Sequence, residues 1–429
     1  TLILGLLANE DISVRNYNRG KDTAFTLSFL NSIGRVTERS ATEIVVKADS
    51  PIQIDDCAEL EYNGGAVPLS LIISYLAGKN ICCTLCYSNI INTDFIDLLV
   101  SYLNKYGIDI DHDADTRHIY FRSYCDSLME CKLSNAMPNL KNCLLFFGLT
   151  SGRFISIKEK VATDNTFEKL ITELGGTIAI EETKSVMTVD PNDPRKKIKI
   201  DSFDYKRKIE LAKTSTINGC EISMPSDFHS LAAFILLAIL KKDSLTINDV
   251  YINDCMSRFI KMLKSFAADV VLSNKKLLGN YSTNTLAITG REAKGRKLSG
   301  ATAGVMMPLT PYIAIAAAVG NGNTVIRDIA EYTIWQNNPF NEIVSALKNL
   351  DIKSGAMEDG LVIEARADYD EDKYGPFGNK ETALAFYMLT LSENVKTTYN
   401  GFDMVSENYP EIVEAVQFAY ENQLLSKST

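Results

Sequence analysis

Six stretches of the chain are apolar on every face. They begin near residues 2, 67, 138, 228, 311 and 382, so they recur about 65 to 90 residues apart. The plainest lies in Glu221–Leu240, EISMPSDFHSLAAFILLAIL. Alternation up to Met224 predicts a strand, and Pro225-Ser226-Asp227 breaks it. Phe228–Leu240 is then too long for a strand and too short to span a bilayer, which predicts a buried helix. Ser226 and Asp227 are N-cap residue types. A helix start carries unpaired N–H groups and partial positive charge, so an all-buried helix opening at a turn is a scaffold for an anion site. An ordinary capped core helix accounts for the same residues.

Around each apolar stretch the same order returns. After LILGLL come a strand at Ile12–Val14, a helix capped by Asp22 or Thr23 and stopped at Gly34, and strands at Ala41–Lys47 and Ile52–Ile54. The second round has helix Val67–Leu76, strand Cys82–Cys86, amphipathic helix Phe95–Tyr106, and strands Ile108–Ile110 and His118–Arg122. The third has an apolar helix around Asn139–Phe147, strand Phe154–Ile157, helix Thr166–Leu174 and strand Thr177–Ile180. The charged tract Asp190–Lys208 reads as an exposed loop or hairpin, or as a basic patch for a phosphate or nucleic acid. The fourth round continues from Phe228 through Asn253–Ala267 and strands Asp269–Leu272 and Thr285–Ile288. The fifth has Pro311–Val319, Thr324–Asp328, Asn341–Leu350 and Leu361–Ala365; the sixth has Thr382–Leu391, Val395–Tyr399 and Pro410–Asn422. Each round is a buried helix, a strand, an amphipathic helix, a glycine stop and paired strands. Fully apolar helices belong inside such a unit and amphipathic ones outside. Six units divide into two domains of three, residues 1–220 and 221–429, in an α/β fold.

Composition adds boundaries. The 429 residues suffice for two or three cores, and 46% hydrophobic with 23% charged residues is ordinary for a globular chain. A formal net charge of -10 disfavours nucleic acid and anionic membranes as partners. No apolar run reaches membrane-spanning length on this reading. The nine Cys are scattered among apolar neighbours, which suits buried thiols in a reducing cytoplasm. The chain opens inside an apolar run, so a preceding segment is expected.

Other constellations are weaker. Cys83-Thr84-Leu85-Cys86 has metal-ligand spacing but no second pair, and reads as a strand with buried thiols. Asp109–His118 is acidic with two His, yet lacks the Gly and terminal Glu of a calcium loop and reads as a solvated turn. No metal and no cofactor are expected. His229, at a helix start, is placed to face a cleft.

The six-round order, NGGAVPLSLIISYLAG, PSDFHSLAAFILLAIL, and GNGNTVIRDIAEY followed by DGLVIEA together resemble the enolpyruvyl transferases, and within them the branch acting on shikimate 3-phosphate. The resemblance runs over nearly the whole chain. It implies two domains, each of three βαβαββ units, whose buried helices point their N-termini into a cleft. There the family binds shikimate 3-phosphate and phosphoenolpyruvate without a metal.

The residues that such chemistry requires are largely replaced. Leu69 stands where the resemblance places a phosphate-binding Arg, and the next Arg position falls near Asp94. A Ser-Ser-Gln phosphate clamp aligns with Pro138-Asn139-Leu140, and the proton-transfer Asp falls on Pro308. A Lys-Glu-Ser-Asp-Arg motif reads Trp335-Gln336-Asn337-Asn338-Pro339; an Asp-His-Arg motif reads Asn379-Lys380-Glu381; the late Lys falls on Glu407. The family's opening Lys-bearing strand has no counterpart, although the tail Ser426-Lys427-Ser428 is similar to it. What the cleft retains is Asp22, Asn63, Gly65, Asp227, His229, Ser230 and Lys380, of which Asp22, Asp227 and Ser230 also suit helix caps. The expectation is a kept fold with a degenerate site, acting as a binding or scaffold subunit with a small anionic ligand or a protein partner. The alternative is an active transferase, or an enzyme on a different anionic substrate.

Overall fold

The computed structural model describes residues 1–40, 42–55, 57–124, 129–183, 185–190, 193–201, 204–213, 215–278, 281–366, 375, 377–393 and 401–421. Strand Val395–Tyr399 and the Ser426–Ser428 tail lie outside these residues.

Hydrophobic side chains gather into two cores. One is built almost wholly from residues between Ile3 and Ile222, the other from residues between Leu231 and Val416 together with Ala136. Each core is threaded by helices without a polar face. In the first these are α2 (Ala66–Gly78) and α4 (Pro138–Ser151), preceded by the half-exposed α1 (Lys21–Ser32). Leu69 to Gly78 of α2 are all buried. Burying one Leu or Ile contributes about 1.5–3 kcal/mol, so the long apolar run fixes where the helix lies. At Gly78 a Cβ would come within 1.9 Å of Thr150 Oγ1, so only glycine lets α2 and α4 approach this closely. The amphipathic helices α3 (Thr93–Lys105) and α5 (Thr166–Glu173) lie outside, each burying one stripe.

The second core repeats the scheme. Buried α6 (Phe228–Lys241) leads to amphipathic α7 (Asp254–Phe266). Then come α8 (Gly300–Met306), α9 (Thr310–Ala318), the short α10 (Tyr332–Trp335) and α11 (Pro339–Asn349). Buried α12 (Lys380–Glu393) precedes α13 (Phe402–Asn408) and α14 (Pro410–Glu421). The run Gly300–Ala318 is 19 residues long and apolar enough to cross a membrane, contrary to the reading from sequence; 83% of its apolar window is buried inside the protein, which marks a core helix.

Three of the sheets follow one grammar. Ala58–Tyr62 pairs parallel with Cys83–Tyr87, which pairs antiparallel with His118–Tyr124, itself antiparallel to Ile108–Asp113. The same order recurs in Met129–Leu133, Ile155–Glu159, Arg207–Leu211 and Ile178–Glu182. It recurs again in Lys297–Leu298, Asn323–Ile326, Gly360–Glu364 and Ser354–Met357. A parallel pair needs a crossover, which the buried helix supplies, and the hairpin then closes the unit. Two domains of βαβαββ units around buried helices are therefore the architecture. The first unit borrows its opening strand: Glu221–Ser223 pairs parallel with Ile12–Arg15 and delivers the chain into α6. The basic tract forms part of a hairpin, Ser185–Asp190 with Asp193–Asp201.

Candidate functional site

The starts of α1, α2, α4, α6, α7, α12 and α14 converge on one cavity of about 510 Å³. Seven bundles of unpaired N–H groups aimed at one volume would make a strong anion receptor if left open. Several are instead filled by the chain's own carboxylates.

Asp22 reaches from the first turn of α1 to Gly65, the N-cap of α2, whose N–H donates to Asp22 Oδ1 at 2.9 Å. A Cβ on Gly65 would lie 2.8 Å from that oxygen, which accounts for the glycine. Asp22 thus does not cap its own helix, whose N-cap is Gly20. Asp227 caps α6: its Oδ2 accepts from Ser230 N–H and from Ser230 Oγ, both at 2.8 Å. Glu342, in the first turn of α11, takes the N–H groups of Gly378 and Asn379 at 3.0 Å each, just before α12. Asn379 Oδ1 takes Thr382 N–H at 2.7 Å.

Cations are scarce. Lys380 is the one Lys or Arg among the described residues lining the cavity, against Asp22, Asp164, Asp227 and Glu381. Its Nζ donates to Asp22 Oδ2 at 2.6 Å. Burial, the largest influence on this ammonium, lowers its pKa, but attraction from Asp22, Glu381 and Asp227 outweighs it and the net shift is upward. Glu381 follows in α12 and is 6% exposed. Its Oε1 accepts from Tyr409 Oη at 3.4 Å and lies 4.0 Å from His229 Nε2, while Oε2 is buried without a hydrogen bond. The His229 ring leans on Phe228, centroids 4.1 Å apart, and Nδ1 shares a 3.4 Å hydrogen bond with Tyr312 Oη. Burial, and after it the charge of Glu381, holds the phenols of Tyr312, Tyr332 and Tyr409 well above their usual pKa.

Behind the wall formed by Thr163 and Asp164 sits a second charged group. Lys141, fully buried in α4, lies 2.7 Å from Glu168 and also donates to the Asp164 carbonyl. Arg207 reaches Thr163 O at 2.5 Å, Glu182 at 2.7 Å and Asp254 at 3.0 Å.

Of the residues expected at the cleft, Asp22, Asp227, His229 and Lys380 line it. Asn63, Gly65 and Ser230 do not: Asn63 is exposed and donates to Glu61 at 2.7 Å, and the other two serve as partners of Asp22 and Asp227. Pro138, Asn139, Pro308, Trp335 and Gln336 stand in the lining, whereas Leu69 is buried in the first core and Asp94 is exposed. Glu381, Tyr409 and Lys141 were not singled out as site groups. Only Glu381 carries a signal in the sequence, an acid where the resemblance places an Arg. Among the described residues no cluster of three or more His, Cys, Asp or Glu is placed to hold a metal.

Comparison with known proteins agrees with this architecture. The family described as EPSP synthase (3-phosphoshikimate 1-carboxyvinyltransferase) matches residues 1–416. A 3-phosphoshikimate 1-carboxyvinyltransferase of Thermoanaerobacter sp. (strain X514) is 22% identical over 413 residues, 96% of this chain and 92% of that one. Another from Petrotoga mobilis is 23% identical over 423 residues, again 96% and 92%. Among solved structures, EPSP synthase from Acinetobacter baumannii superposes with a TM-score of 0.70 at 19% identity, covering 97% of this chain and 92% of its own. The enolpyruvyl transferase NikO from Streptomyces tendae gives 0.65 at 12% identity, covering 96% and 90%. With the match running over residues 1–416, the chain belongs to the EPSP synthase family of enolpyruvyl transferases.

Proposed function

We propose that this protein does not transfer enolpyruvyl to shikimate 3-phosphate, and that it works as a binding subunit built on the transferase shell. One observation carries the reading: the anion sockets at the helix starts are filled by Asp22, Asp227 and Glu342, and Lys380, the one Lys or Arg among the described lining residues, is engaged by Asp22. A hydrogen bond to a charged group is worth about 1.5–3 kcal/mol, and losing one donor at a reacting centre costs on the order of 10²–10³ in rate. Several such positions are neutral or acidic here, so the summed loss leaves no measurable turnover. The experiment is phosphate release by the purified protein from shikimate 3-phosphate and phosphoenolpyruvate, with the expected rate at the no-enzyme background. A protein-dependent, saturable rate ends the proposal.

The relatives' names favour a second reading, an active 3-phosphoshikimate 1-carboxyvinyltransferase. The same assay separates the two. A binding subunit further implies a protein partner, which co-purification from the native source would reveal.

A further inference from the structure

We propose that the cavity receives a small organic cation, a primary amine or guanidine on an apolar body, and that Glu381 is the group it pairs with. The inference rests on the reading above that the cavity no longer serves the family's anions.

Glu381 carries the argument. A carboxylate that is 6% exposed with one oxygen lacking any hydrogen bond is costly unless something completes it. The cations among the described residues do not. Lys380 is committed to Asp22, and His229 Nε2 stands at 4.0 Å, beyond hydrogen-bond reach. Arg207 and Lys141 are held by their own carboxylates behind the wall. Glu381 Oε2 therefore calls for a further donor, and a positively charged one satisfies it best.

The surroundings select the same chemistry. Asp22, Asp164, Asp227 and Glu381 outnumber Lys380 in the lining. Neighbouring phenols resist ionisation, first because they are buried and then because Glu381 is near. Tyr332, Trp335 and Tyr409 stand in the lining, and aromatic rings attract ammonium and guanidinium groups through their faces. Phe228, Val305 and Met307 offer apolar wall for the rest of the molecule. A volume of about 510 Å³ falls in the range of small-molecule sites, roughly 300–1,000 Å³. Motif position points the same way: where the family resemblance places an Arg, this chain carries Glu381, the opposite sign at the same helix start.

The test is calorimetric titration of the full chain with agmatine and with phenethylamine, in low-salt buffer, alongside phosphoenolpyruvate and inorganic phosphate. At least one amine is expected to bind saturably and neither anion to bind. Glu381→Gln should weaken the amine at least tenfold. It should also melt higher than the native chain without ligand, because it removes an incompletely paired buried charge; this readout does not depend on the choice of amine. Binding of anions in preference to amines, equal amine affinity in E381Q, or no amine binding each overturns the inference. Failure of the underlying reading looks different: it would be turnover in the phosphate-release assay, whatever the amines do.

Discussion

Two charged regions lie on either side of one wall, and they are built on opposite plans. Behind Thr163 and Asp164, the buried cations Lys141 and Arg207 meet Glu168, Glu159, Glu182 and Asp254 at distances from 2.7 to 3.9 Å. In front, among the described residues lining the cavity, a single lysine faces four carboxylates, and Glu381 Oε2, Asp164 Oδ1 and Asn142 Oδ1 are buried without a hydrogen bond. In the first region each carboxylate has a buried cation of the chain within 4 Å, although Glu159 Oε2 and both Glu168 oxygens lack a hydrogen bond. The difference is one of ion pairing: the buried acids behind the wall each have a Lys or Arg within 4 Å, whereas Glu381 has only His229, at 4.0 Å, among the described residues.

The sharpest way to break this contrast is to unpair the acids behind the wall. Lys141→Met removes the cation next to Glu168 while keeping the volume. Stranding a charge in a buried pair costs about 3–5 kcal/mol, whereas replacing the pair by apolar groups is often neutral. Urea unfolding should therefore show a large loss for K141M and substantial recovery in K141M/E168L. A small loss for K141M would mean that the pairing does not hold this region. The pH dependence sharpens the test. Burial, only partly offset by Lys141, raises the Glu168 pKa above its ordinary 4.5. A raised folded pKa favours the protonated fold, so this group's contribution is full at acid pH and is lost as pH rises through the folded value. K141M should steepen that loss towards neutrality.

Next in size is the Lys380–Asp22 pair, which ties α12 to α1 across the cavity. Both side chains are about a third exposed, 32% and 35%, so solvent screens them and the pair contributes on the order of 1 kcal/mol. Lys380→Met should lower the melting temperature modestly. It should also raise amine affinity, because Asp22 becomes free. If K380M instead abolishes binding of a phosphate ligand, the cavity is an anion site and the contrast fails.

Much of the fold was legible because fully apolar runs are rare and long. Phe228–Lys241, Ala66–Gly78 and Thr310–Ala318 lie within a few residues of where the pattern placed them. Short strands were not. Ala58–Tyr62 and Met129–Leu133 bury alternate residues only, and such five-residue patterns also occur by chance. Conversely, Ile52–Ile54 alternates but forms no strand; Gln53 N–H bonds the end of α1 at Ile33 O instead. In the site, Asp227 as a cap was readable because its partner is three residues away. Asp22 was assigned to the wrong helix because its partner Gly65 is 43 residues distant. Lys141 hid within an apolar run, its counter-charge Glu168 being contributed by a different helix.

The smallest expected effect decides whether Asp227 belongs to the helix or to the cavity. Its Oδ2 already takes two donors from Ser230, at 2.8 Å each, so its charge is spent locally. Asp227→Asn retains an oxygen acceptor for Ser230 N–H, and Asn and Asp are comparable caps, so its stability cost should be slight. Asp227→Ala removes the cap and should cost about 1 kcal/mol. On amine affinity, D227N should act only through distance, changing it less than about fivefold, equivalent to ~1 kcal/mol. That is smaller than the tenfold expected at Glu381. A loss in D227N matching that in E381Q would show that Asp227 shares the ligand. The cavity would then be a two-carboxylate clamp, and the line drawn here between capping acid and receiving acid would move to include both.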